Sequence, residues 1–575
     1  MNKNKSAFLN SEKLLKVSNL WFTIFSFFEL FLIILELGYQ WHYPESAGWV
    51  FLTIKVLLLI SYIFNIITFQ MVRIERNKSG RTGTLDFIII LAILFFSINL
   101  NTMALIILLR QFVVSLRQFS QMPLVRNFLS WLITNPAQLT MFSFMGIILT
   151  GTILLTFPAA TKDGNGASFL TALFTATSAT CVTGLIVVDT GSYFSIFGQT
   201  VILGLIQIGA LGIMTLSTSL ALVFGRRFGL REQATLQDLF DIRDSVMLKH
   251  IIIYIVKMTF WVELTGAVLL YVRLAPNYDT FYRGIYSAIF HSISAFCNAG
   301  FSLYENSMVG YQNDLIINFT ICTLIIIGGI GFTVVANIVD KKNYKKSIKL
   351  FINNLTIHTK IVLITTSLLI SIGMILIFFF EFDNALLEMP FRRKILAAFF
   401  QSVTLRTAGF NTIELAHIKN ITILIMIIWM FIGAAPGSTG GGIKVSTVGV
   451  LVLTIKTLMG GRREVEIFKR TIPQFVVYKS VAIFMVSITI LGLMFGLLLI
   501  NESHDFTTLL FEATSAFGTV GLSLGITASL SSMGRMIIII LMYIGRVGPL
   551  TLAYAISEKN TQANVHYPAG RLMVG

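Results

Sequence analysis

Four short stretches of similar sequence, each ending in a glycine, recur along the chain. These glycine stretches are 177–184 (TSATCVTG), 293–300 (ISAFCNAG), 402–409 (SVTLRTAG) and 514–521 (TSAFGTVG). The closing glycines are 116, 109 and 112 residues apart, which indicates four tandem units of similar length. Glycine lets main-chain carbonyl oxygens approach an axis without an intervening side chain, and a ring of such oxygens can replace the hydration shell of a cation. The repeats therefore predict a cation pathway.

The composition of the 575-residue chain is that of a membrane protein. Hydrophobic residues make up 55% of the chain, charged residues make up 12%, and the mean hydropathy is +0.81. Ordinary soluble domains do not have this balance. We therefore predict a multi-pass protein of the cell membrane, surrounded by the lipid bilayer.

The 43 Lys and Arg residues outnumber the 27 Asp and Glu residues, but their positions do not indicate nucleic-acid binding. Many of them lie in the short loops 226–243, 341–349 and 462–470, between apolar segments. Such loops are cytoplasmic by the positive-inside rule. The pattern predicts that the N- and C-termini are cytoplasmic and that nucleic acid is not a partner.

Each unit has the same predicted parts, namely an apolar span, a short half-helix that leads into the glycine stretch, and a returning span. We place the four units at 131–245, 246–350, 351–472 and 473–575. The half-helices are predicted at 168–180, 282–296, 391–405 and 506–517. They must be re-entrant, because about 20 apolar residues are needed to cross a bilayer. The predicted fold is an all-α polytopic membrane protein with four tandem repeats around a central pore.

The returning span of the third unit contains many helix breakers. Six glycine and proline residues lie between positions 433 and 442, and such a segment cannot remain helical. The sequence therefore predicts an unwound intramembrane loop at 433–444, which could close the path. The other three returning spans carry glycine pairs at 208–212, 327–331 and 544–548, which favour close packing of helices.

The segment 1–130 precedes the four units and is less informative. It contains apolar runs at 20–39, 50–71 and 85–109. The basic N-terminus and the start of the first unit should both be cytoplasmic, which requires an even number of crossings. We therefore divide the third run in two and predict about four extra N-terminal transmembrane helices, for twelve spans in total.

The glycine stretches, the segment PGSTGGGIK, Arg546 and the ending YPAGRLMVG closely resemble the Trk/Ktr/HKT superfamily of potassium transporters. The resemblance covers about 137–575. It implies that twelve residues surround the permeating ions in a selectivity filter: Val182, Thr183, Gly184, Asn298, Ala299, Gly300, Thr407, Ala408, Gly409, Thr519, Val520 and Gly521. It also implies that an intramembrane loop and a pore arginine gate the path, through Gly433, Gly437, Gly440, Gly441, Gly442, Lys444 and Arg546.

The same resemblance implies uptake of potassium. In this family a serine in place of the first filter glycine accompanies sodium selectivity, whereas this chain has Gly184. The resemblance further implies a homodimer and a separate nucleotide-binding regulatory ring beneath the cytoplasmic face. It implies no cofactor bound by this chain and no metal other than potassium at the filter, with activation by sodium ions left open.

Three other functions are weighed against potassium uptake. A transporter of sodium or of mixed monovalent cations remains open. An alternating-access transporter of organic solutes would normally have inverted or two-fold repeats, whereas four parallel copies are found here. An enzyme is disfavoured because the sequence has no paired acids, no nucleophile with a base and no metal-binding cluster on facing helices.

Glu263 and the cysteines are the other candidates for chemistry. Glu263 lies in the middle of a predicted span, but the chain has no series of acids that would form a proton relay. We favour a buried pair or a carboxylate bonded to a neighbouring half-helix. Cys181, Cys297 and Cys322 have no metal-binding spacing and are interpreted as small packing residues.

Overall fold

The computed structural model describes residues 136–223, 245–339, 348–462, 464–549 and 551, together with positions 21, 24, 38, 53, 56–57 and 60–64. The four predicted N-terminal spans therefore lie almost entirely outside the described residues. So do the basic loops at 226–243 and 341–347 and the ending at 567–575.

The chain forms two compact regions, which do not correspond to the four repeat units. The first consists of Met1–Trp131, Phe157–Gly166 and Val223–Arg226, and the second of Leu132–Thr156, Ala167–Leu222 and Arg227–Gly575. In the first compact region, Pro158–Ala160 forms one 3₁₀ turn, and Gly166 N donates to Thr161 Oγ1 at 2.9 Å. The second compact region contains all four glycine stretches and is described below.

The regular structure in the described residues of the second compact region is helical apart from one small hairpin. In chain order its helices are α1 (Pro136–Leu155), α2 (Phe169–Thr180), α3 (Thr190–Tyr193), α4 (Ile196–Val223), α5 (Ser245–Leu274), α6 (Phe281–Phe296), α7 (Leu315–Gly329), α8 (Phe332–Ile338), α9 (Ile348–Asn354), α10 (Ile357–Glu381), α11 (Phe391–Thr404), α12 (Asn420–Phe431), α13 (Val445–Met459), α14 (Gln474–Asn501), α15 (Phe506–Gly518) and α16 (Ser532–Val547). The hairpin pairs β1 (Glu466–Ile467) with β2 (Arg470–Thr471) in antiparallel register.

Four of the described helices are long and apolar enough to cross a membrane by themselves. These segments are Gln138–Leu155, Ile253–Asn277, Ile357–Glu381 and Gln474–Asn501. They belong to α1, α5, α10 and α14, at the positions of the first span of each predicted unit. Mostly apolar side chains cover their exposed faces, as lipid contact requires.

The returning segments are less regular than these long helices. The returning span of the second unit, which the sequence predicts as a single helix over 315–339, is not one helix, because α7 and α8 meet at a bend of 100°. Gly331 lies between them with φ of +93°, and the next residue, Phe332, donates its N–H to Gly437 O at 2.9 Å. This bond to a different repeat unit redirects the chain, and glycine adopts the positive φ at the bend without steric strain. In the third unit the helix stops at Phe431 and resumes at Val445.

The half-helices α2, α6, α11 and α15 are 12, 16, 14 and 13 residues long. Each packs against the long helix that precedes it. Ser168 caps α2 by accepting a hydrogen bond from Thr171 N, and Asp505 caps α15 by accepting from Thr507 N. Fully buried phenylalanines such as Phe174, Phe296 and Phe517 fix the half-helices in the core. The half-helix bounds differ from the predicted ones by one residue at most.

Candidate functional site

The four closing glycines lie together in one closed ring. A Cβ atom added to any of them would fall within 2.7 Å of the carbonyl oxygen of the residue that precedes the next glycine. The pairs are Gly184 with Ala299 O, Gly300 with Ala408 O, Gly409 with Val520 O and Gly521 with Thr183 O. Because the fourth pair leads back to the first stretch, the chain surrounds a single axis with pseudo-fourfold order.

The main chain of the ring repeats the same conformation four times. The residue two positions before each glycine has a positive φ, of 57° at Val182, 60° at Asn298, 65° at Thr407 and 51° at Thr519. The glycines themselves have φ values of 94°, 69°, 79° and 92°. A left-handed conformation costs a non-glycine residue about 1–3 kcal/mol and is found where the surroundings enforce it. Four such residues in register mark a built backbone site.

The N–H groups of the glycine stretches are held by the half-helices. Thr183, Ala299 and Val520 each donate to a carbonyl oxygen five residues earlier at 2.8 Å. Ala408 differs, because it donates to Thr404 O at 3.0 Å. Among the described residues, no hydrogen bond ends on the carbonyl oxygens of these four residues. Their oxygens are therefore available to a cation that has lost its water.

Buried threonine hydroxyls line the same region. In the part of the chain that the structure describes, these hydroxyls have no hydrogen-bond partner at Thr177, Thr180, Thr183, Thr404, Thr407, Thr514 and Thr519. An unmet hydroxyl in a protein interior costs about 1–3 kcal/mol. A bound ion or its water would relieve this cost. Three of the seven, Thr183, Thr407 and Thr519, belong to the residues that the resemblance assigned to the filter.

An interrupting loop, residues 432–444, lies directly against the ring. A Cβ atom at Gly440 would fall on the Thr407 hydroxyl, and one at Gly441 would fall on the Thr519 hydroxyl. Within the loop, Gly433 N donates to Ile443 O at 2.8 Å. These contacts place the loop against the third and fourth glycine stretches.

The loop is bonded to the other units. Thr439 N donates to Gly328 O at 3.2 Å, and Ala435 N donates to Gly329 O at 3.0 Å. Thr439 Oγ1 also donates to Phe296 O, the last residue of α6, at 3.2 Å. The second unit therefore supports one side of the loop.

Arg546 and Lys444 bind main-chain oxygens at the loop. Arg546 is buried, and its guanidinium donates to Thr439 O and, at 2.6 Å, to Gly209 O of α4. Lys444 Nζ donates to Gly440 O at 2.8 Å. Neither cation forms an ion pair within the described ranges. Two positive charges thus lie beside the loop, balanced by main-chain dipoles.

The glycine pairs of the returning spans have a packing role. A Cβ atom at Gly209, Gly328 or Gly545 would fall on a carbonyl oxygen in the last turn of a half-helix. The oxygens belong, in that order, to Thr180, Phe296 and Phe517, each four residues before its ring glycine. Any side chain at these positions would displace a half-helix end. Gly433 of the third unit packs instead on Gly441 O, inside the interrupting loop.

A cavity of about 470 Å³ opens on the other side of the ring. All four ring glycines line it, together with the carboxylates of Asp189, Glu305 and Glu414. Asp189 accepts hydrogen bonds from Ser192 N and Oγ, both at 2.6 Å, whereas Glu305 and Glu414 are exposed. We call this cavity the vestibule.

Glu263 is bonded close to a glycine stretch. Its carboxylate accepts a hydrogen bond from Gln207 Nε2 at 3.3 Å and lies 3.9 Å from the thiol of Cys297, just after α6. Ser292 of α6 donates to the main-chain oxygen of Glu263 at 2.6 Å. The group therefore joins α5 to the second half-helix, and Cys181, Cys297 and Cys322 are free and buried.

Two features of the site were not predicted. A serine six residues before the ring glycine, at Ser178 and Ser515, accepts that glycine's N–H at 3.1 Å. Alignment of the four stretches would have shown it, since only the third has a valine there. That stretch also carries Arg406, which is buried, and its Nε and Nη2 atoms have no partner among the described residues.

The long apolar helices, packed against one another and against the half-helices, define a polytopic membrane protein. The family model described as "TrkH: Cation transport protein" matches residues 116–567, and the chain belongs to this family. The family-level resemblance inferred from the sequence is thereby confirmed.

Two curated relatives cover the same part of the chain. The chain is 42% identical over 440 residues to the Ktr system potassium uptake protein B of Vibrio alginolyticus, covering 76% of this chain and 94% of the relative. It is 38% identical over 449 residues to the protein of the same name from Bacillus subtilis, covering 78% and 98%. Both are named as uptake proteins, in agreement with the prediction that the chain is not an enzyme.

The fold is also similar to a solved structure. The crystal structure of the potassium transporter TrkH from Vibrio parahaemolyticus matches with a TM-score of 0.57 and 18% identity. The match covers 95% of this chain and 98% of that chain. At this identity the match supports the fold and not the function.

Proposed function

We propose that this chain takes up potassium across the cell membrane, with the ring of four glycines as its selectivity filter. The observation that carries the proposal is the closed ring, in which every glycine faces the carbonyl oxygen before the next one. Main-chain oxygens around one axis can substitute for the water of a dehydrated alkali cation. The names of the two uptake relatives support potassium as the ion.

The path begins at the vestibule and passes through the ring. Carboxylates in the vestibule raise the local concentration of cations. Each half-helix ends within its glycine stretch, three to five residues before the ring glycine. A helix C-terminus carries about half a negative charge, which stabilises a cation nearby. The filter residues are those named from the resemblance, including Val182, Asn298, Thr407 and Thr519 with their left-handed main chain.

The interrupting loop and Arg546 form the gate. Gly440 and Gly441 contact the ring hydroxyls, so an ion that leaves the ring meets the loop. Arg546 and Lys444 add positive charge there and bind the loop's main chain. Opening then requires the loop to move away from Thr407 and Thr519. Gly433, Gly437 and Gly442 supply the main-chain freedom for this movement, and two of these, Gly437 and Gly442, already have positive φ.

Assembly and orientation are also proposals. The chain forms a homodimer, its termini face the cytoplasm, and a nucleotide-binding regulatory ring docks on the basic cytoplasmic loops. The hairpin β1–β2 belongs to one of these loops, with Arg462, Lys469 and Arg470 around it. The chain binds no cofactor, and activation by sodium ions is left to experiment.

Growth of a bacterium that lacks its own potassium uptake tests the function. Expression of the chain with its regulatory partner should restore growth at low external potassium. Restored growth only with sodium present would favour a mixed monovalent transporter. Absence of rescue, with the protein in the membrane, would overturn potassium uptake and favour another solute.

Substitution of one ring glycine tests the filter. Gly184→Ser should weaken the preference for potassium over sodium, measured as competing fluxes into liposomes, because its Cβ would fall on Ala299 O. Gly310→Ser is the matched control, since nothing lies within 4 Å of an added Cβ there. Equal selectivity of the two variants would contradict the filter assignment.

A further inference from the structure

Two opposite units carry a buried ionisable side chain nine residues before the ring glycine. They are His291 of α6 and Glu512 of α15, both fully buried. The ring order places the second and fourth stretches across the axis from each other. In the first and third units the same position holds Thr175 and Phe400. The ionisable pair therefore has twofold order within a pseudo-fourfold ring.

His291 is bonded to the segment that follows its glycine stretch. Its Nδ1 lies 2.8 Å from Ser287 O, and its Nε2 lies 3.3 Å from Leu303 N and 3.1 Å from Ser302 Oγ. A carbonyl oxygen only accepts and an amide N–H only donates, so Nδ1 carries the proton and Nε2 accepts. The ring stacks on Tyr304 with centroids 4.8 Å apart. His291 thus holds 302–304 in place.

Glu512 is bonded to the corresponding segment of the fourth unit. Its Oε1 accepts a hydrogen bond from Thr527 Oγ1 at 2.5 Å, and Thr527 Oγ1 lies 3.0 Å from Ser523 Oγ. Ser302 and Ser523 are both two residues after their ring glycine. Both serines, with Thr527, line the vestibule. The two buried groups therefore support equivalent segments, 302–304 and 523–527, which we call the outer limbs.

We propose that His291 and Glu512 are positioning residues that hold the outer limbs and thereby fix the carbonyl oxygens of the ring. The inference rests on the proposed filter. Each outer limb begins two residues after a ring glycine. Movement of the limb is therefore transmitted along the main chain to the ring. Binding groups must be held within about 0.5 Å by their supporting shell to keep their specificity. At the same position the first unit has the neutral Thr175, and the third unit has Phe400, whose side chain has no nitrogen or oxygen atom to form such a bond.

Paired substitutions separate the bond from the packing. His291→Phe keeps the stacked ring and removes the acceptor, whereas His291→Gln retains an acceptor. Glu512→Leu and Glu512→Gln form the same pair. The variants without an acceptor should raise the KM for potassium about tenfold and lower its preference over sodium, since a buried donor is left unmet. The Gln variants should lie closer to the wild type.

The measurement is uptake by the full chain with its regulatory partner, normalised to the amount of protein in the membrane. A purely structural role would lower the amount of protein or the maximal rate and leave KM and selectivity unchanged. Thr175→Val is the matched control and should not change KM. Unchanged KM and selectivity in His291→Phe and Glu512→Leu would overturn the proposal.

Substitutions on the limb side keep the test decisive if the buried variants do not fold. Ser302→Ala and Ser523→Ala remove the partner hydroxyls at the vestibule and should shift KM in the same direction. The double variant His291→Phe/Ser302→Ala should cost less than the two single effects combined, because both remove one contact. Full additivity, or no effect of either serine, would overturn the proposal. If Gly184→Ser alters selectivity while these variants do not, the positioning role fails and the filter stands.

Discussion

The glycine ring and the interrupting loop lie in contact but are built in opposite ways. Each of the four units contributes the same two left-handed positions to the ring. The loop comes from the third unit alone and has no equivalent in the described parts of the others. A site that must surround an ion benefits from four equal contributions. A barrier needs only one segment that can move aside, so a single loop is sufficient.

The hydrogen bonds of the ring and of the loop also differ, because those of the ring are local and those of the loop include bonds to other repeat units. The N–H groups of the ring bond within their own stretch, as Thr183 does to Ser178 O. The loop bonds to other units, through Thr439 to Gly328 and through Arg546 to Thr439. Local bonds persist when neighbouring elements move, whereas bonds between units are broken by such movement. In the proposed ion path, the ring is therefore the constant part and the loop the variable part.

The largest effect is expected from a side chain in the ring. Gly300→Ala should reduce uptake by about a hundredfold or more, because its φ of +69° strains an alanine and its Cβ would fall 2.7 Å from Ala408 O. Uptake of labelled potassium, normalised to protein in the membrane, measures this effect.

The matched control for Gly300→Ala is Gly204→Ala in α4, where nothing lies within 4 Å of an added Cβ. The control should transport like the wild type. Equal uptake by both variants would show that the ring does not carry the ions and would remove the contrast with the loop.

Sequence patterns predicted much of the ring and part of the loop. The half-helices could be located because segments of only twelve to sixteen residues before a glycine are too short for a span. The break after Phe431 followed from the density of glycine and proline. These predictions depend on local chain properties, which a single sequence contains.

Features that depend on contacts between units could not be predicted. The bend at Gly331 arises from the bond between Phe332 N and Gly437 O, and the motif IGGIG looks like any helix-packing motif. The three oxygens around Arg546 come from Thr439, Gly209 and Ala210, far away in the chain. The proposed roles of His291 and Glu512 depend on their hydrogen bonds to the outer limbs, which the sequence does not show.

The second largest effect is expected from Arg546, the cation of α16 that binds the loop. Arg546→Gln should raise potassium flux on the order of tenfold, since a unit charge near the path costs a cation more than ~1 kcal/mol even at an effective dielectric constant of 20. It also removes the guanidinium that binds Thr439 O of the loop and Gly209 O of α4 and thereby joins the loop to the first unit. Flux into proteoliposomes is the measurement, and potassium selectivity should stay unchanged because the ring is intact.

Lys479→Gln on α14 is the control for loss of one positive charge, because Lys479 is exposed and far from the loop in sequence. Lower or equal flux in a well-expressed Arg546→Gln protein would argue against the gate. A change in selectivity would instead show that the ring and the loop are not separate in function.

The smallest effect is expected from the vestibule, which is next to the ring and not to the loop. The double variant Glu305→Gln/Glu414→Gln should raise the KM for potassium about two- to threefold at low ionic strength, since these exposed carboxylates attract cations only through solvent. The effect should vanish at about 0.5 M of an impermeant salt, where charges more than a few ångströms apart are screened. Glu388→Gln, exposed but outside the vestibule, is the control and should show no salt-dependent change. A large effect that persists at high salt would mean that the carboxylates contact the ion directly, and ion selection would then extend beyond the ring.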